Sequence, residues 1–265
     1  MRIPYAAPDP APDSEEAAIV GRIAARRAPR PLQPLDLALL QAPPMADGWN
    51  AFLGAVRTRG AALGARAREL AVCRVAVCNR AWYEWAHHAP LAAAAGVSAE
   101  ALRRVVARRD LLVPIEEEEG EQGGEGQGDD EGQRERSARD FARGLGLDDK
   151  DWAVLRYADE MTRNVEVPDP VFDALKALCS DREIVEATTT IAAYNCVSRF
   201  LVALDGMSPP LSISLSGNHV RFHLFPNIVH EISLTKKKRE REERWRQWGC
   251  DPKETCVSVQ LTIVT

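Results

Sequence analysis

Arg66-Ala67-Arg68-Glu69-Leu70-Ala71-Val72-Cys73-Arg74-Val75-Ala76-Val77-Cys78 is the stretch that sets the fold class. Leu70, Val72, Cys73, Val75, Ala76 and Val77 would cover nearly every side of a helix, the pattern of a helix enclosed by other helices. A second helix is expected next, through Trp82-Tyr83-Glu84-Trp85-Ala86-His87-His88, with Asn79 as its N-cap. Pro90 should kink or end it near Ala89. Gly96 then suits the position after a helix, and Ser98 can cap a further helix to about Arg109.

Outward from this centre the chain is also helical in pattern. Asp13 or Ser14 can cap a helix from Glu15 to about Arg27, after an extended Pro-rich arm over residues 1–13. Pro29, Pro31 and Pro34 break it, Leu35 to Leu40 is a short apolar piece, and a helix is expected from Ala46 to Arg59. Later helices are expected over Asp149 to Arg163 and Val171 to Leu178. The last runs to Leu204 behind a capping box of Ser180 with Glu183. Scarce aromatics and abundant alanine favour helices throughout. The expected class is all-α: one helical domain over residues 14–206.

Two segments break the pattern. Residues 116–137 hold little but Glu, Gly, Gln, Asp and Arg, too little apolar surface to offset the entropy of ordering, and are expected to be a disordered insertion. Residues 207–265 alternate briefly at Leu211 to Leu215, carry a charge run from Lys236 to Arg246, and end β-rich at Val257 to Val264. They are expected to be an irregular tail.

The net charge of -5 is concentrated, since residues 116–131 hold nine acids and no Lys or Arg. The remainder is mildly basic, which suits an anionic small substrate and is too weak to argue for nucleic acid. No apolar run reaches the roughly 18 residues of a membrane span, and the N-terminus has no signal-like apolar region. The six cysteines form no C-x-x-C and read as reduced thiols, so the expected location is the cytoplasm.

Glu84 and His88 are four apart and share a helical face. A carboxylate beside an imidazole can orient it and raise its pKa, a working acid–base pair or an ordinary surface ion pair. Glu69 is either a second carboxylate for the same pocket or a first-turn acid favoured by the helix dipole. His87 points about 100° away from His88 and is expected to face solvent or serve structure. Glu69, Glu84, His87 and His88 could ligate a metal. Adjacent histidines cannot face one ion, however, and His-x-x-x-His is absent, so no metal is expected. Asn195 and Arg199 share a face of the last helix, where Arg199 needs either a core carboxylate or a bound substrate anion.

Three runs then make the pattern specific: Arg68-Glu69-Leu70-Ala71, Ala81-Trp82-Tyr83-Glu84-Trp85-Ala86-His87-His88-Ala89-Pro90-Leu91, and Ala94-Ala95-Gly96. With Leu155 to Thr162 and Ile191 to Phe200, they resemble the carboxymuconolactone decarboxylase and alkylhydroperoxidase D-like family over roughly residues 10–206. The resemblance implies an AhpD-like helical bundle, no cofactor, and homotrimers or homohexamers. The family's peroxidase branch carries Glu, then C-x-x-C, then His four residues on. Aligned on Glu69 and His88, those thiols are Ala81 and Glu84 here, so thiolate chemistry at this site is not expected even where family labels say peroxiredoxin. The decarboxylase branch is similar to Glu-x-x-x-His, as at Glu84 and His88.

The resemblance thus implies a lyase for a small carboxylated lactone or keto or enol acid, with a proton-transfer isomerase or a non-catalytic helical oligomer as alternatives. In the lyase, protonated His88 would donate to the carbanion, Glu84 would orient His88, and Glu69 would hold a proton or a water. Arg199 or Arg74, with Asn195 and Tyr83 nearby, would bind the substrate.

Overall fold

The computed structural model describes residues 2–112 and 131–204, together with the backbone of residues 212–216, 219–225 and 228–233. The first two stretches form a helical unit: α1 (Glu15–Arg27), α2 (Pro34–Leu39), α3 (Pro43–Gly54), α4 (Ala65–Cys78), α5 (Trp82–Ala94), α6 (Ala99–Ala101), α7 (Glu131–Gly144), α8 (Asp149–Arg163), α9 (Asp169–Lys176) and α10 (Asp181–Ala203). Two π-helical turns, Ala55–Arg59 and Leu102–Val106, continue α3 and α6.

The enclosed helix is α4. Leu70, Ala71, Val72, Cys73, Val75 and Ala76 are all fully buried, and α4 packs against α5, α8 and α10. One side of it joins a core with Val154, Ala158, Ala187, Ile191 and Leu201. The other side meets Ala92, Val106, Ala142 and Leu155. Each large apolar side chain so buried contributes about 1.5–3 kcal/mol of transfer free energy. A smaller cluster of Ile19, Ile23, Leu39, Leu40 and Ala46 seats α1 and α2. The N-terminal arm is docked there, with Ala6 N–H bonded to the Leu37 carbonyl.

Helix ends follow the caps where side chains can reach them. Ser180 and Glu183 cap each other at α10, and Asp148 with Asp151 does so at α8. Gly96, at φ +92°, ends α5, and Ser98 caps α6. Of the two candidate caps of α1, Ser14 takes the position, accepting from Ala17 N–H. Two expectations are corrected. Asn79 ends α4, and α5 starts after Ala81. Pro90 does not end α5. The helix runs on to Ala94 because Ala92 is fully buried in the second core and anchors the last turn.

The insertion expected over 116–137 overlaps α7, which is helical from residue 131. Its apolar residues Ala138, Phe141 and Ala142 lie on one face against the second core. Glu135 on α7 accepts from Trp152 Nε1 (2.5 Å) and Arg156 Nε (2.8 Å) of α8. Residues 116–130 lie outside the described residues.

The chain divides into units at residues 1–207 and 208–265. In the second, an antiparallel sheet of order β1-β2-β3 corrects the irregular tail over 212–233: β1 (Ser212–Ser216), β2 (His219–Phe225) and β3 (Ile228–Ser233). Ser216 pairs with His219 and His219 with Ser233. Gly217-Asn218, between two alternating runs, is a hairpin signal in the sequence. The charge run at Lys236 and the β-rich end at Val257 lie outside the described residues.

Truncation after Met207 should leave the helicity and thermal midpoint of the helical unit unchanged within a few degrees. Removing residues 131–137 as well should lower the midpoint, because Trp152 and Arg156 lose Glu135. Circular dichroism melts of the two deletions measure both effects, and equal midpoints would contradict the role given to α7.

Candidate active site

The sequence places Glu84 and His88 one turn apart, and the fold decides whom they meet. Both are almost fully buried, at 2% and 5% exposure. They do not bond each other. His88 Nδ1–H donates to Glu69 Oε2 at 2.6 Å, from α5 across to α4. Glu84 Oε2 instead accepts from Ser198 Oγ of α10 at 2.9 Å, and its Oε1 has no partner among the described residues. The Tyr194 ring stands edge-on to His88, centroids 4.8 Å apart. Three helices therefore enclose one cluster of Glu69, Glu84, His88, Tyr194 and Ser198.

The electrostatics separate these groups. Burial pushes Glu84 well above the ordinary carboxyl range, only partly opposed by the Ser198 hydrogen bond. Burial thus favours the protonated form of Glu84. Burial would also raise Glu69. The hydrogen bond and charge of His88, with Arg68 and Arg57, together outweigh it and hold Glu69 below its usual value. His88 is lowered by burial despite Glu69. We take Glu69 as the carboxylate and His88 as an imidazole whose Nδ1 proton is committed to it. That fixes the tautomer and leaves Nε2 as the basic atom. The expectation that Glu84 orients His88 and raises its pKa is corrected: Glu69 is the orienting carboxylate, because packing of α4 on α5 brings it closer.

The expected substrate ligands lie elsewhere. Arg74 is fully buried; its Nε–H donates to Asp159 Oδ1 at 2.7 Å, and its other nitrogens bond the carbonyls of Val106, Arg108 and Arg109. It holds α4 to α8 and is closed to a substrate. Arg199 is exposed and bonds Asn195 on its own helix, neither a core carboxylate nor a site anion. Asn195 links helices, donating to Thr162 Oγ1 (3.0 Å) and accepting from Asn79 Nδ2 (3.0 Å). Tyr83 stacks on His87 at 4.1 Å, and the charges that act on it are those of Arg27 and Asp36. His87 is exposed, as its helical angle implies, with Nδ1 at 2.8 Å from the Tyr83 carbonyl.

Sequence reasoning missed Ser198, Tyr194 and Cys73. Tyr194 and Ser198 are four apart on α10, the same spacing as Glu84 and His88, and that pairing was the available signal. Cys73 is fully buried, and burial with the charge of Glu69 drives its thiol far up. Cys78 donates Sγ–H to Asp159 and is pushed up to about 12, chiefly by burial. Neither sulfur is a thiolate near neutral pH, and the thiolate is the reactive form. Among the described residues no group of His, Cys, Asp and Glu could hold a metal, and no helix is long and apolar enough to cross a membrane.

Residues 43–115, which span the π turn, α4, α5 and the Glu69–Glu84–His88 cluster, match the model of the carboxymuconolactone decarboxylase family. The match covers 73 of the 265 residues. No curated protein sequence matches it. Among solved structures, it is similar to an Agrobacterium tumefaciens protein of unknown function, provisionally assigned as the antioxidant defence protein AhpD. Identity is 20%, coverage is 64% of this chain and 93% of that one, and the TM-score is 0.46.

Proposed function

We propose that this chain, whose residues 43–115 match the carboxymuconolactone decarboxylase family model, is a cofactor-independent proton-transfer enzyme, a decarboxylase of a small carboxylated lactone or keto or enol acid. One observation carries the reading. Two buried carboxyl groups of one cluster have different partners and are shifted in opposite directions: Glu84 upward, bonded to Ser198, and Glu69 downward, bonded to the His88 base. Environments that push the pKa values of such neighbours in opposite directions assign the acid and the base. The bond to the substrate carboxyl breaks, CO2 departs, and the electron pair delocalises into the adjacent carbonyl. The Glu84 proton is then delivered to that carbon, and a solvent proton taken up at His88 Nε2 passes to Glu84 and restores it. The same pair would serve an isomerisation. By family resemblance the enzyme acts as a homotrimer or homohexamer in the cytoplasm.

A second reading, a non-catalytic helical oligomer, is favoured by the near-complete coverage of Glu84 and His88. The cavity beside Arg68 includes neither residue in its lining.

Glu84→Gln tests the assignment on two readouts. CO2 release from a panel of carboxylated lactones and keto acids should be lost. In D2O the wild type should place one deuterium stereospecifically on the product carbon. Stability should change with the opposite sign. An unfolded Glu titrates near 4.3, about the value for a free side chain, whereas burial holds Glu84 higher. Between the two values the unfolded chain binds fewer protons, and the folded state loses about 1.4 kcal/mol per pH unit. Gln removes that loss, so its advantage in thermal midpoint should widen as the pH rises above 5. A constant difference across that range would mean that Glu84 is not held neutral.

A further inference from the structure

A cavity of about 160 Å³ lies beside Arg68, between the α3 end with its π turn and the first half of α10. Phe52, Ala55, Val56 and Leu63 make its wall apolar, and Val185, 63% exposed, stands at the mouth. An apolar cavity of about 150 Å³ is enough to hold a benzene ring. One cation lines it, Arg68. Its Nε–H reaches Glu69 Oε1 at 3.3 Å, and its two terminal nitrogens bond no described residue. The one acid in the wall, Glu186, is already engaged: Oε2 accepts Leu63 N–H (2.9 Å) and Oε1 accepts Arg182 (3.1 Å). The hydroxyls of Thr189 and Thr190 complete the polar lining.

We propose that this cavity binds a small apolar monocarboxylate, its ring or chain within the wall and its carboxylate on Arg68, and that occupancy is relayed to His88 through Glu69. An aryl or branched aliphatic acid fits the volume and the single free guanidinium face. Such an anion draws Arg68 toward itself and away from Glu69 Oε1. Glu69 then binds His88 as the stronger acceptor, and the imidazolium is favoured. Among the described residues, the titratable groups around the His88–Glu69 pair are Arg68 and Cys73 on α4, Glu84 and His87 on α5, Arg57 on the π turn, and Tyr194 on α10. Of these, Arg68 also lines the cavity. Arg57, next to Val56, adds a second positive charge that acts on Glu69 and His88.

Benzoate is the probe, with benzyl alcohol as its uncharged control, titrated into the full chain at constant ionic strength. Imidazole nitrogen shifts report His88, assigned by comparison with His88→Gln. Benzoate should bind and benzyl alcohol should bind more weakly. Arg68→Gln should weaken benzoate about tenfold, the effect of losing one charge-assisted pair. Ala55→Leu, which fills the cavity and leaves the charge in place, should weaken it comparably. The His88 midpoint should rise by some tenths of a pH unit at saturation. Unchanged benzoate affinity in folded Arg68→Gln and Ala55→Leu would overturn the site. An unmoved His88 midpoint at saturation would overturn the relay. No turnover is involved, so a protein that binds in this way yet decarboxylates nothing refutes only the proposed reaction.

Discussion

Asp159→Ala should destabilise the helical unit by about 3–5 kcal/mol, the usual cost of leaving one partner of a buried ion pair uncompensated. Arg74 has no solvent exposure, and its Nε–H rests on Asp159. The remaining Arg74 contacts are backbone carbonyls of 106, 108 and 109, which accept hydrogen bonds and carry no full charge. Asp159 also accepts from Cys78 Sγ–H and Arg163 Nε (2.9 Å), so its loss frees three donors at once. Against a domain stability of roughly 5–15 kcal/mol, this leaves a marginal protein. Arg74→Met combined with Asp159→Leu should cost far less than the sum of the single changes, because no charge is then stranded. Urea unfolding followed by helical dichroism measures all of these. A loss under about 1 kcal/mol for Asp159→Ala would show that the carbonyls alone suffice.

The second large effect is on turnover. His88→Gln keeps most of the side-chain volume and removes the basic Nε2, so activity should fall by about 10²–10⁴, the range for a lost general acid or base. Glu69→Gln should lower turnover too, and it has a distinct signature. Without the carboxylate that holds Nδ1–H, burial acts on His88 unopposed, and the acid limb of the pH–rate profile moves to lower pH. His87→Gln should change little, since that ring is exposed and bound to the Tyr83 carbonyl. Equal losses at His87 and His88 would defeat the argument from helical face. An unmoved acid limb in Glu69→Gln would leave Glu69 without its orienting role.

The sequence was legible wherever one short segment determined its own structure. The reciprocal cap at Ser180, the stop at Gly96 and the enclosed face of α4 depend on residues a few positions apart. Helix α7 did not, because its stretch is mostly charged. Its place depends on Ala138, Phe141 and Ala142 meeting a core supplied from elsewhere, and on Glu135 reaching α8. The site divides in the same way. That Glu84 and His88 share a face follows from spacing. That His88 chooses Glu69, nineteen residues back, and Glu84 chooses Ser198, 114 residues on, follows only from how α4, α5 and α10 pack. Arg74 was misread for the same reason, since its counterion lies 85 residues away.

The cores on both sides of α4 draw residues from before 113 and after 130 alike. Up to residue 112 the chain holds Glu69, Glu84 and His88, but it lacks α8 and α10. During synthesis from the ribosome the acid–base cluster is therefore incomplete until α10 emerges with Tyr194 and Ser198. Until then the largely apolar girth of α4 has only partial cover. A nascent chain that stalls between the two halves leaves that helix exposed, and the acid–base cluster closes only once α10 has emerged.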